Sequence, residues 1–287
     1  MRKIRKRDYT TLIIFSCVGV LSIMGIGYSY LQESLQMNIH VSKKSQPVTA
    51  SEIAYKEQPA AVYGMNSMGE NQLSLSKQHF VFQGMDPNNY VSLDGVEFRI
   101  VRIENYQANN DTTKVMLVST SPFTGMYPYL QLKDALKENL GNFGMSSYLL
   151  EESYMTGMIP TGLKLTGKQL LSNIGETSEL LKQGTLSPVD YLRASSSSNC
   201  QIDLATEENP KTWQELSEHC DENNYMIAYK SGGTLIHDGN KQYYRVNGEL
   251  VSKEETSNIY PVIVLSNHVK YMGEGTKSDP YVVITGK

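Results

Sequence analysis

Apolar and polar positions divide the chain into distinct stretches. Residues 9–31, YTTLIIFSCVGVLSIMGIGYSYL, carry no charge over 23 positions, which at helical rise exceeds the hydrocarbon thickness of a bilayer. A buried core helix of that length normally shows a polar stripe, and this one has none. Leu35 to Val41 alternates apolar and polar, a strand pattern. Residues 42–77 are rich in Ser, Gln, Asn, Pro and Gly without a clear period, and read as a stalk or loosely folded connector.

His79–Gln83 begins a β region. Asp94-Gly95 is a two-residue hairpin signal, and residues 90–120 read as a β-meander with a second turn at Asn109-Asn110-Asp111. In its middle strand Val96, Phe98 and Ile100 fall on one face, and Val101 and Ile103 on the other. Helical spacing follows. Leu132, Leu136 and Leu140 recur every fourth residue, with Gly141 as a C-cap. Tyr148–Met155 and Lys168–Leu181 are further candidate helices, and Ser187-Pro188-Val189-Asp190 is a capped helix start. Asn209-Pro210 repeats the cap signal ahead of Trp213, Leu216 and Cys220. After Tyr225 strands return at Thr234–His237, Gln242–Val246 and Glu249–Ser252. The apolar run Ile259–Leu265 fits a strand covered on both faces. Strands, then helices, then strands give an α+β class.

Charge sets a topology. Five of the first seven residues, MRKIRKR, are basic, and the remaining chain holds 21 basic against 30 acidic side chains. An acidic body argues against a nucleic-acid partner. Cations ahead of the apolar span place residues 1–8 in the cytoplasm, residues 9–31 in the lipid bilayer as a single-pass helix, residues 32–77 as strand plus stalk outside the cell, and residues 78–287 as an extracellular α+β domain. Cleavage after Ser29, with small Gly27 and Ser29 at the cut, is the alternative and would release a secreted structural or fibre subunit. The length of the apolar stretch favours an uncleaved membrane anchor. Cys17 lies in the span, which leaves Cys200 and Cys220 outside, 19 residues between them, as a disulfide pair in an oxidising compartment.

Near the end, YMGEGTKSDPYVV contains half of a phosphate-binding loop in Gly273–Ser278. Thr276 stands before Lys277 where that loop requires Gly, and Asp279-Pro280 leads into a strand where a helix should begin. The segment reads as a turn between the Tyr260–Leu265 strand and a short strand at Tyr281–Ile284, with no nucleotide bound.

Five segments carry a resemblance: NYVSLDGVEFRIVRIE, LKDALKENLGNF, GTLSPVDYLRASS with a following Cys, YYRVNGELVS, and YPVIVLSNHVKYMGEGTKSDPYVV. In that order, over residues 89–284, they resemble an uncharacterised family of extracellular domains of Gram-positive bacteria, often found behind one N-terminal span. Tyr260 stands where the family has Arg, and YMIAYKS replaces a tryptophan-rich strand. The resemblance implies a layout similar to the C-type-lectin-like fold shared with sulfatase-modifying enzymes: an N-terminal hairpin, two helices and a late β-sheet packed together. It implies fold more than activity.

No catalytic constellation is legible. His40, His79, His219, His237 and His268 are not spaced as metal ligands, and His237-Asp238-Gly239 reads as a hairpin corner. Glu151-Glu152 and Glu254-Glu255 are neighbours that do not converge, and Gly-x-Ser-x-Gly is absent. Asp86–Asn89 and Asp221–Asn224 each lack the full set of alternating calcium ligands. No metal and no cofactor is expected. Tyrosine is over-used, with 19 against one Trp. Tyr225, Tyr229, Tyr243 and Tyr244 are candidate contact residues for a protein or glycan, with half-buried strand positions as the plainer reading. The sequence therefore points to a membrane-anchored extracellular binding module. A cell-envelope enzyme built on unidentified carboxylates is the alternative.

Overall fold

Val96–Tyr106 is a single eleven-residue strand, and its one irregularity orients the domain. Against the neighbouring strand, Ile100 faces Leu117 and Arg102 faces Met116, so Val101 is an extra residue in a β-bulge. Across the bulge Phe98, Ile100 and Ile103 share one face, while Arg99, Arg102 and Glu104 share the other. Strict alternation assigned Ile103 to the face opposite Ile100; the bulge reverses that.

The computed structural model describes residues 46–57, 60–62, 78–106, 113–138, 149, 152–155, 177–200, 209–212, 215, 217–238 and 242–285. All but Gln46 fall in one compact unit, Pro47–Lys287. The span at 9–31, the strand at 35–41, the Asn109–Asp111 turn, Gly141, Trp213 and Leu216 lie outside the described residues. Among the described residues no helix is long and apolar enough to cross a membrane.

The class is α+β with sheet predominating. In chain order the elements are α1 (Ala50–Glu57), β1 (Ala60–Val62), β2 (Gln78–Val81), β3 (Tyr90–Leu93), β4 (Val96–Tyr106), β5 (Lys114–Ser119), β6 (Tyr127–Pro128) and α2 (Tyr129–Glu138). They continue with β7 (Glu152–Met155), β8 (Thr177–Leu181), α3 (Pro188–Ala194), a 3-10 helix (Tyr225–Tyr229), β9 (Gly233–His237), β10 (Gln242–Arg245) and β11 (Leu250–Ser252). The last are β12 (Thr256–Ser257), β13 (Val262–Leu265), β14 (Val269–Met272) and β15 (Tyr281–Thr285). The main sheet has eight strands, running β1-β2-β4-β3-β15-β14, with β5 on the other edge of β4 and β13 beyond β5. The meander forms as the sequence requires: Asp94 and Gly95 both take positive φ, 50° and 79°, the geometry of a tight two-residue hairpin. All four residues of β13 are buried, as its unbroken apolar run predicts.

Other expectations are corrected. Glu152–Met155 and Thr177–Leu181 are paired strands and not helices, so side-chain periodicity there loses to pairing of the chain with itself. YMIAYKS begins as a 3-10 helix and not a strand, because Asn224 caps it through Met226 N–H at 2.8 Å. Part of the stretch read as a connector belongs to the domain. Thr49 and Glu52 exchange capping bonds, Glu52 N to Thr49 Oγ1 at 3.2 Å and Thr49 N to Glu52 Oε2 at 2.6 Å, and α1 buries Ala50, Ile53 and Ala54.

Arg102 ties the sheet to α3. Its guanidinium donates to Glu104 on β4 and to Asp190, and all three side chains are buried. Asp190 also closes the capping box of α3, taking bonds from Ser187 N at 3.0 Å and Ser187 Oγ at 2.8 Å. Beside it, Asn224 donates to Tyr191 O and Cys220 O, and the Cys200–Cys220 disulfide has its Cα atoms 4.9 Å apart. Losing a buried ion partner costs more than losing a cap alone. Asp190→Ala should therefore destabilise by at least about 3 kcal/mol, and Ser187→Ala by about 1 kcal/mol, both measured by urea unfolding. Equal losses would mean that the ion pair contributes nothing.

Burial raises the ionisation of Tyr191, Tyr225, Tyr229, Tyr271 and Tyr281 well above the ordinary value of 10.0. The folded state keeps protons that the unfolded chain releases above that value. The resulting stability is intact below pH 10 and is lost as pH rises past it. Tyrosinate absorbance should appear in a cooperative step that coincides with loss of circular dichroism. A gradual titration with the fold intact would contradict this.

Candidate functional site

The Gly273–Pro280 segment is a turn, as its chemistry requires, but it joins β14 to β15; the sequence pattern had not resolved β14 within the loop after Leu265. Gly273 and Gly275 hold φ at 117° and 75°. Gly275 has a second reason to lack a side chain. A Cβ there would stand 2.2 Å from the Tyr281 ring and 2.7 Å from the Asn88 carbonyl. The turn is thus pressed against the Asp86–Tyr90 turn, and Tyr90 N donates to Gly275 O at 2.9 Å.

Above this seam the two turns diverge to form a cleft of about 440 Å³. Asp86, Pro87, Asn88 and Tyr90 form one wall; Thr276, Lys277 and Ser278 form the other. The volume falls within the usual range of ligand sites. Glu57, at the end of α1, braces both sides: it accepts from Asn88 Nδ2 at 3.2 Å and from the Tyr281 hydroxyl at 2.9 Å. Lys56 pairs with Glu274. Burial works against the charged form of Lys56, but hydrogen bonds with Glu274 and Glu57 outweigh it and raise its pKa.

Arg99 supports the first wall from beneath. It is buried, with its guanidinium 3.8 Å from the Tyr90 ring centroid and 4.7 Å from that of Tyr225. It donates to Asn89 Oδ1 and, at 3.3 Å, to Pro87 O. Asn89 spends its amide on Ile100 O at 2.7 Å. The Asp86 carboxylate lies 3.6 Å from Arg99 and accepts the Tyr90 hydroxyl at 3.0 Å. Burial raises the Tyr90 pKa; the charge of Arg99 opposes this and the bond to Asp86 reinforces it. This leaves Asp86 fixed, exposed and ready to accept hydrogen bonds. Lys277 makes no ion pair among the described residues.

The four tyrosines singled out from sequence are elsewhere. Tyr225, Tyr229, Tyr243 and Tyr244 are 5%, 4%, 0% and 1% exposed, so none offers a ring face to solvent. Tyr225 donates to Ile100 O, Tyr243 shares a hydrogen bond with Ser257 Oγ, and Tyr229 packs edge-on against Tyr260. Only Tyr225 bears on the cleft, through Arg99. Tyr90 and Tyr281, which the sequence reading passed over, are the tyrosines that build it. Thr49-x-x-Glu52 was the signal that would have placed α1, and hence Glu57, in the domain.

Other candidates among the described residues have partners inside the domain. Asp221 accepts from the Tyr191 hydroxyl at 2.5 Å and from Lys230 at 3.3 Å, and Glu222 accepts from Ser197 Oγ at 2.9 Å. His237 stands edge-on to Tyr129 with ring centroids 5.6 Å apart, and burial together with Lys253 lowers its pKa. Among the described residues no three His, Cys, Asp or Glu side chains are grouped to hold a metal ion. No family model, curated protein or solved structure matches the chain.

Gly275→Ala tests the seam. Strain at positive φ and the clash with Asn88 O should destabilise by about 1–3 kcal/mol. A neutral substitution in thermal unfolding would show that the turns do not pack as described.

Proposed function

We propose that the chain is a membrane-anchored extracellular module that binds a protein or glycan through the cleft between residues 86–90 and 276–278. The observation that carries this reading is the Cys200–Cys220 disulfide, which suits an oxidising compartment. It agrees with the five cations and uncharged span ahead of the domain. The binding role draws its support from the cleft, whose walls are held from below by Arg99 and from the side by Glu57. Rigid positioning of polar groups is what a recognition site needs, since it lowers the ordering cost of binding. The charged cluster of Arg102, Glu104 and Asp190 is closed off from solvent and serves the packing of α3.

We read the domain as C-type-lectin-like in layout. Support comes from the β3–β4 hairpin, from α2 and α3, and from the late β9–β11 sheet.

Protease added to intact cells that express the full chain should remove the domain from the cell-associated protein. Complete protection until the membrane is permeabilised would overturn the topology.

A further inference from the structure

Resting on the binding role just proposed, we infer that the cleft takes a saccharide bearing a carboxylate, with Lys277 meeting the acid group and Asp86 accepting ring hydroxyls. The walls carry little that would anchor a protein partner. Pro87 and Tyr90 are their only largely apolar members, and neither forms a pocket for a buried side chain of the kind that dominates protein interfaces. Hydroxyl recognition is better served. Asp86 is pinned by Tyr90 and Arg99 and so presents a fixed acceptor. Thr276 Oγ1 and Ser278 Oγ lie 3.3 Å apart on the facing wall and share a hydrogen bond, which leaves one hydroxyl proton and lone pairs for a ligand. Pro87, next to Asp86 in the lining, gives an apolar surface for C–H groups.

Charge selects the acid. Asp86 pairs with Arg99, and Lys56 is shared between Glu57 and Glu274. Lys277 is then the cation of the lining left without a counter-charge among the described residues. One ammonium group suits one carboxylate. A phosphate is less well served, because N–H groups around the seam are spent inside the protein. Tyr90 N donates to Gly275 O, Glu274 N to Asp279 O, and Asp279 N to Thr276 Oγ1. The cradle of free N–H groups typical of phosphate loops is reduced to that extent.

The test is calorimetric titration of the full chain in detergent micelles with three probes: hexagalacturonate, the same hexamer with its carboxyls reduced, and inorganic phosphate. The acidic hexamer should bind about fivefold tighter than the neutral one, the upper end for a solvent-exposed ion pair. Lys277→Ala should erase that difference with no change in melting temperature, since Lys277 supports nothing else. Asp86→Asn should weaken both hexamers together. Equal binding of the two hexamers to the unmodified chain overturns the acid preference and leaves glycan binding in place. Binding of neither hexamer overturns the saccharide inference, as does Lys277-dependent binding of phosphate in their stead. The topology stands or falls separately, on the protease experiment.

Discussion

Two guanidinium groups are buried on one strand, and each has to be satisfied. Arg99 and Arg102 share a face of β4 because the bulge at Val101 restores register between them. An uncompensated buried cation is too costly to keep, so each fixes its surroundings. Arg102 draws in Asp190 and with it the first turn of α3. Arg99 draws in Asn89, the Pro87 carbonyl and two tyrosine rings, which determines the shape of the Asp86–Tyr90 turn. The helix side of the domain and one wall of the cleft thus answer to the same strand. The apolar residues of that strand face the other way and join the core.

The sequence was informative where a local rule was strong enough to stand alone. Asp94-Gly95 specified its hairpin, Ser187-Pro188-x-Asp190 its helix start, and the unbroken apolar run its doubly covered strand. The disulfide followed from compartment and number. Legibility failed where long-range pairing decided the outcome. Residues 152–155 and 177–181 become strands through each other, a relation no window of sequence contains. The cleft was illegible for the same reason. Its two walls lie almost two hundred positions apart in the chain, and the turn that looked like half of a phosphate loop acquires its neighbours only through β15 pairing with β3. The bulge was missed because alternation was read straight through Val101. FRIVRIE alternates only when Val101 is counted as an insertion, which pairing with β5 reveals and a single window does not.

The abundance of tyrosine receives a different explanation from the one its chemistry first suggested. Most of the described tyrosines serve the interior, where an aromatic body fills volume and several hydroxyls add a donor to a carbonyl or carboxylate. Tyr191 reaches Asp221, Tyr225 reaches Ile100 O, and Tyr281 reaches Glu57. A phenylalanine core would fill the same space and remove one donor from each of these acceptors, which Asn89, Lys230, and Asn88 with Lys56 would still serve.

The parallel pairing of β15 with β3 bears on how the molecule is made. Tyr281 and Val282 lie beside Val91 and Ser92, so a strand synthesised early waits for one synthesised late. Contacts of such sequence separation slow folding, because loop closure precedes any gain from pairing. Until Tyr281–Thr285 has emerged, β3 has an open edge and the seam beneath the cleft does not exist. The sheet edge and the cleft above it therefore form as one event, and a chain interrupted anywhere before Tyr281 would lack both.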